Sequence, residues 1–182
     1  MLQFYLQLIE TEEDQELFTF LYENYRQRMR LVASENLDND SFAEDAVHNA
    51  FIGVTKNMAS IRDRCREDQR NYLLKAAKYA AYNINRTERK QKEYYVVIEE
   101  EPFEDSVLDA LCAKLDREAI VNAIEEIKEP YNTVLFFSLL MEMEHKEIAS
   151  LLDRTPDAIR QQIHRGKGML KKRLEEALAV HV

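Results

Sequence analysis

An all-α protein is what this sequence predicts, and three observations carry that expectation. Glycine and proline occur only three times each in 182 residues and tryptophan is absent, while Leu, Ala, Glu, Lys and Arg are frequent; such a composition favours helix. Apolar residues recur at three- and four-residue steps along most of the chain. One stretch, residues 93–106, loses that period and divides the chain into two small helical halves.

The first helix is expected over 13–35, where Leu17, Phe18, Leu21, Tyr25, Met29 and Val32 form one stripe. The break "ENLDND" follows. Ser41 is placed to cap the next helix, with Glu44 three residues on to close a capping box. Phe42, Val47, Ala50, Phe51, Val54 and Met58 line that helix. "SIRDRCREDQ" is polar and is read as a loop. A third helix is expected over 70–90, apolar at Leu73, Leu74, Ala77, Ala80, Ala81 and Ile84 and basic at its end. Residues 93–106 hold a proline and six acids, and are read as a flexible acidic linker; the run "YYVVI" leaves a short strand or ordered crossover as the alternative. The domains are therefore 1–92 and 107–182. In the second, Leu108, Leu111, Leu115, Ile120, Ile124 and Ile127 mark one segment, Pro130 punctuates it, and "YNTVLFFSLLMEM" is apolar enough to be surrounded by protein.

The segment "HKEIASLLDRTPDAIRQQIHRGKGML" has the anatomy of a helix-turn-helix. Ile148, Ala149, Leu151 and Leu152 make a short helix. "DRT" breaks it. Thr155 suits the N-cap, Pro156 the first helical position and Asp157 the positive end of the helix dipole. Ile159, Ile163, Gly166, Leu170 and Leu174 then line one face. Arg160, Gln161, His164, Arg165, Lys167 and Lys171 line the other. Arg and Gln match the major-groove edges of G and A, and Arg160 and Gln161 sit in the early turns that go deepest. Lys167 and Lys171, with Lys172 and Arg173, suit phosphates farther along. An ordinary amphipathic hairpin is the alternative.

The charges are sorted in the same sense. Residues 1–61 carry 4 basic and 11 acidic side chains, 62–92 carry 10 and 4, 93–129 carry 3 and 12, and 145–173 carry 8 and 3. Two basic blocks set between acidic ones suggest two contacts with a polyanion. No apolar run is long enough for a membrane span, and the N-terminus lacks the basic start of a signal peptide, so a cytoplasmic location is expected. Cys65 and Cys112 have no metal-ligand partners at close spacing, and His48 has no second His or Cys near it. No metal or cofactor is expected. The absence of a Gly-rich phosphate loop or a nucleophile motif argues against an enzyme.

The stretch "EIASLLDRTPDAIRQQIHRGKGMLKKRL" resembles region four of bacterial sigma factors of the sigma-70 superfamily, in particular the short, two-domain extracytoplasmic-function (ECF) type. The residues that carry the resemblance are Glu147, Ile148, Ala149, Leu152, Thr155, Ile159, His164, Arg165 and Gly166. Upstream, "AEDAVHNAFIGVTKNM" resembles the polymerase-binding helix of region two through Ala43, Glu44, Asp45, Val47 and Phe51, with His48 in place of the usual Gln. "NYLLKAAKYAAYNINRTERKQ" resembles the promoter-melting and minus-ten helix. The resemblance covers about 20–178.

It implies a sigma factor with core RNA polymerase and promoter DNA as partners, and an anti-sigma factor as a further candidate. Core binding would rest on Glu44, Asp45, His48, Asn49 and Phe51. The minus-ten element would meet Tyr72, Lys75, Lys78, Tyr79, Tyr82, Asn83 and Arg86, the tyrosines stacking on an extruded base. The minus-thirty-five element would be read by Thr155, Arg160, Gln161, His164, Arg165, Lys167 and Lys171. The chain departs from the family where Gly is usual, at Glu142 or nearby in the turn before the first helix and at Asp153 in the turn between the two, and it carries Gly166 and Gly168 inside the recognition helix. A helix-turn-helix regulator that binds DNA without polymerase remains the alternative.

Overall fold

The computed structural model describes residues 1–35, 37, 39–88, 105–113 and 115–179, and among them every regular element is helical. In chain order the helices are α1 (Leu2–Leu6), α2 (Glu12–Ser34), α3 (Ala43–Thr55), α4 (Ala59–Arg62), α5 (Arg66–Glu88), α6 (Asp105–Cys112), α7 (Arg117–Glu125), α8 (Tyr131–Leu135), α9 (His145–Leu151) and α10 (Pro156–Ala179). Residues 93–104 of the expected linker lie outside the described residues, and 105 and 106 open α6. The chain divides into two units: Met1–Gln91 with Met143–Pro156, and Lys92–Glu142 with Asp157–Val182. The sequence division places 143–156 with the second half, whereas its contacts place it with the first.

In the first unit α2, α3 and α5 pack on one another around an aromatic cluster. Phe51 is fully buried, with ring centroids 5.1 Å from Tyr22, 5.4 Å from Phe18 and 5.5 Å from Tyr5. Tyr5 comes from α1, an element that the periodicity does not announce, because a five-residue helix is too short to show a stripe. Its hydroxyl lies 2.7 Å from His48 Nδ1, and burial pushes its pKa up to about 12.

Helix α2 starts where its chemistry allows. The Thr11 hydroxyl accepts from the Asp14 N–H at 3.2 Å, and Glu12, Glu13 and Asp14 fill the first turn. The capping box expected at Ser41 and Glu44 does not form. Residues 40–42 make a 3₁₀ turn, the Asn39 side chain accepts from the Ser41 N–H, and α3 has no side-chain cap. Glu44 is drawn instead to Arg26 at 3.0 Å and Arg30 at 3.3 Å across the α2–α3 seam. The expected loop before the third helix also shortens, since α4 occupies 59–62 and α5 begins at Arg66. Gln69 explains this: it is buried, and its amide donates to the Ile61 carbonyl at 3.1 Å.

Arg62 ties α4 back to α2 with two hydrogen bonds to Asp14, at 2.9 and 2.6 Å. The guanidinium holds the Asp14 carboxyl below its usual pKa. A carboxylate depressed in the folded state stabilises above its unfolded pKa of about 4, and that contribution is lost as pH falls through the folded value. Arg62→Met is expected to lower the Tm by several degrees at pH 7 and by much less near pH 2. Thermal unfolding at the two pH values checks this, and equal losses at both would assign the effect to packing.

The second unit has its own core of Leu108, Ile124, Ile127, Leu135, Leu170 and Leu174. The Asp116 carboxylate caps α7 by accepting from the Ala119 N–H at 2.8 Å. The apolar run after Pro130 is buried as expected, but it is not one α-helix: α8 passes into a π-helical turn at Phe136–Leu140, where the Met141 N–H reaches the Phe136 carbonyl. Gly166 of α10 faces Leu135, whose Cγ would lie 2.9 Å from an added Cβ. Its small size is a packing requirement. Nothing lies within 4 Å of a Cβ at Gly168, so Gly168→Ala is expected to stabilise by about 0.5–1 kcal/mol in denaturant titration.

Candidate functional site

Two faces of the chain carry the side chains that the sequence singles out. The first is on α3 and α5. Asp45 and Asn49 are exposed on α3, and His48 is half-buried beside them against Tyr5. Glu44 is exposed but engaged by Arg26 and Arg30, and its hydrogen bond holds the Arg26 pKa up. Phe51, expected in the same polymerase-binding set, is a core residue. It anchors the helix and has no surface to offer.

The minus-ten set divides in the same way. Tyr72, Lys75 and Tyr79 are buried at 0%, 8% and 1% exposure, so the stacking expected of these tyrosines is closed to them here. Burial among protein atoms raises the Tyr72 pKa far above its usual value. Period explains the misplacement: Tyr72, Ala76 and Tyr79 fall at three- and four-residue steps and share the packed stripe of α5. Lys78, Tyr82, Asn83 and Arg86 lie on the half-exposed side. The Asn83 carbonyl accepts from the Arg154 guanidinium. Asp45, His48, Asn49, Leu151, Asp153 and Arg154 are among the residues that line a cleft of about 680 Å³.

Helix α9 meets α3 closely at Gly53. A Cβ there would lie 2.2 Å from the Leu151 carbonyl oxygen. Three polar contacts flank this point: the Ser60 hydroxyl donates to Glu147 Oε1 at 2.7 Å, the Asn57 amide meets Ser150 Oγ at 3.4 Å, and Arg154 holds Asn83. Ser60, Asn57, Ser150 and Arg154 were not singled out by the sequence, whereas Asn83 and Glu147 were, though not as partners in these contacts. A lone glycine inside an otherwise apolar-periodic helix is the signal that would have found Gly53. Gly53→Ala is expected to unseat α9, because a backbone oxygen cannot step aside as a side chain can. Faster amide exchange over 145–152 with little change in α2 would show it; unchanged protection there would refute it.

The second face is on α10. The helix begins at Pro156, and Asp157 in its first turn pairs with Arg160 at 3.1 Å. Ile159, Ile163, Leu170 and Leu174 are buried. Thr155, Arg160 and Gln161 are exposed, and His164, Arg165, Lys167 and Lys171 are half-exposed. Lys171 is 3.9 Å from Glu175. Exposed pairs such as these cost little to break, so the cations remain available to a polyanion. Before α10, the turn holds Asp153 at φ 52°, and Glu142 ahead of α9 has φ 51°. These are the two places where the sequence has another residue for a family glycine, and both need the left-handed backbone that glycine adopts without strain.

Among the described residues no group of His, Cys, Asp and Glu is placed to hold a metal ion, and no helix is long and apolar enough to cross a membrane. Cys65 is exposed and Cys112 half-buried, and neither is in a disulfide among the described residues.

Comparison with known proteins bears on both faces. Residues 117–170 match the family model described as Sigma-70, region 4. The chain is also similar to the ECF RNA polymerase sigma factor SigW of Bacillus subtilis (strain 168), with 25% identity over 176 residues that cover 90% of this chain and 91% of that protein. The match to region four embraces the turn and most of α10, and the similarity to the relative runs through both units. Residues 117–170 are thus similar to sigma-70 region 4, and the chain over most of its length is similar to a sigma factor of extracytoplasmic-function type.

Proposed function

We propose that the chain is an RNA polymerase sigma factor that binds core polymerase through the exposed side of α3 and directs it to promoters with two DNA contacts. The half-exposed side of α5 at Lys78, Tyr82, Asn83 and Arg86 is the minus-ten contact. The polar face of α10 from Arg160 to Lys171 is the minus-thirty-five contact. The observation that carries this reading is the two-sidedness of α10: a buried stripe from Ile159 to Leu174 is opposed by exposed Arg160 and Gln161. Such a helix presents groove-reading side chains at its start and phosphate-binding lysines farther on. The acidic first residues complement a basic polymerase surface, while the net charge of −9 opposes loose binding to DNA without it. The chain carries no reaction of its own, since polymerase supplies the chemistry. The cytoplasm is where such a subunit works, and an anti-sigma factor is the regulator that fits it.

Run-off transcription with core polymerase on a promoter library tests the reading. Transcripts that depend on this chain and share two spaced elements are expected. DNA binding without any core affinity would identify a helix-turn-helix regulator instead.

A further inference from the structure

We propose that Tyr5 is a positioning residue for the polymerase contact: its hydroxyl fixes the His48 imidazole in one orientation and one tautomer, so that α3 offers Nε2–H as a pre-aimed donor to an acceptor on core polymerase. The inference rests on the sigma-factor reading above and deepens it, because it gives α1 a part in that contact.

The direction of the bond follows from what is buried. The Tyr5 hydroxyl lies 2.7 Å from His48 Nδ1, and Tyr5 is 2% exposed. A phenol has one proton to place, and among the described residues His48 is its one hydrogen-bond partner. Were Nδ1–H the donor, the hydroxyl proton would be left in the interior without an acceptor, which costs more than the bond returns. Burial also pushes the hydroxyl's pKa up to about 12, so it keeps that proton at neutral pH. Tyr5 therefore donates, Nδ1 accepts, and the single N–H of the neutral imidazole is on Nε2. Nε2 bonds to no described residue and is not buried. The carboxylate one turn earlier, Glu44, is already engaged by Arg26 and Arg30.

The seat of Tyr5 is rigid. Its ring centroid lies 5.5 Å from those of Phe18 and Phe51 and 5.8 Å from that of Tyr22. The Gln15 amide holds the end of α1 by donating to the Leu6 carbonyl at 3.2 Å and the Ile9 carbonyl at 2.9 Å. Phe4 flanks the imidazole, with ring centroids 5.9 Å apart. So short a helix is not stable by itself, and these contacts hold it. A phenylalanine at Tyr5 would fill the same aromatic cluster; what the hydroxyl adds is the bond to His48. His48 in turn lies beside exposed Asp45 and Asn49 on α3. A donor already aimed there has less rotational freedom to lose on binding.

The test measures binding of the full chain to core polymerase for Tyr5→Phe, alone and in a His48→Gln background. A Gln amide can reach the place of Nε2 but puts nothing at Nδ1, so it keeps the outward donor and has no use for the hydroxyl. Tyr5→Phe alone should weaken core binding about fivefold, the scale of one hydrogen bond, and should change it by less than about twofold in the His48→Gln background. His48→Asn mimics Nδ1 and stops short of Nε2; it should bind core about tenfold more weakly than His48→Gln. Equal losses from Tyr5→Phe in both backgrounds, no loss in either, or His48→Asn binding as well as His48→Gln would each overturn the proposal. The ¹⁵N spectrum of the histidine-labelled free chain at about pH 8, above the usual histidine range, reads the tautomer directly. An unprotonated His48 Nδ1 is expected, with its signal shifted in Tyr5→Phe. A protonated Nδ1 overturns the lock whatever polymerase does. A wild-type chain with the expected spectrum that never binds core overturns the sigma-factor reading, and the polymerase role of Tyr5 with it. The two failures are distinguishable, because the spectrum needs no polymerase.

Discussion

Asp45→Lys is expected to abolish binding to core RNA polymerase and to leave the helical fold intact, with the Tm lowered by only a few degrees. Asp45 and Phe51 are six residues apart on α3, which turns them to different sides of the helix. Phe51 is at 0% exposure in the aromatic cluster, and Asp45 is exposed. Reversing the charge at Asp45 leaves the packed side of α3 intact and removes a first-turn carboxylate from the helix start, a cost of about 0.3–1 kcal/mol. A carboxylate that faces a basic partner surface contributes attraction, whereas a lysine there adds like-charge repulsion, which costs several kcal/mol at an interface. The loss of affinity should exceed roughly a hundredfold. Binding of labelled protein to core polymerase measures it, with circular dichroism and thermal unfolding as fold controls. Normal affinity in this variant would remove α3 from the polymerase contact.

Arg160→Ala and Lys171→Ala should fail in different ways. Arg160 is exposed in the second turn of α10, and its pairing with Asp157 is a surface one that breaks readily. A bidentate arginine–guanine contact discriminates by roughly 1–3 kcal/mol. Arg160→Ala should thus weaken transcription most, about tenfold or more, at promoters with the preferred upstream element, and flatten the preference at one or two base pairs. Lys171 lies eleven residues farther along, where a phosphate contact carries no base information. Its loss should weaken binding about equally on all sequences and reduce the salt dependence. The comparison belongs in the holoenzyme, where polymerase holds the acidic chain on DNA. If Lys171→Ala changes base preference and Arg160→Ala does not, the reading face lies on the other side of α10.

Much of this was legible from residue order. Four of the long stripes are single helices, α2, α3, α5 and α10, whereas the one marked from Leu108 to Ile127 is divided between α6 and α7. Proline at the start of α10 and glycine on its packed side did what their local chemistry requires. The helix-turn-helix order, the two-sidedness of α10 and the family resemblance all follow from such local and periodic signals, because an amphipathic helix writes its burial into its own spacing.

The tertiary structure decided what spacing cannot express. Period says that a side of a helix is buried, but not which of several candidate polar or aromatic residues near the seam goes inside. Tyr72 and Tyr79 went into the core and left Tyr82 at the surface. Local capping rules placed Glu44 on the backbone of its own helix, but two arginines of α2 offered it charge-assisted bonds, and these won. The seating of α9 on α3 could not be read at all. It depends on a missing side chain at Gly53 meeting the carbonyl of Leu151, almost a hundred residues later. The sequence by itself determined which segments are helices and which faces must be hidden. Only the three-dimensional packing determined what hides them, since a contact between distant segments leaves no periodic trace in either one.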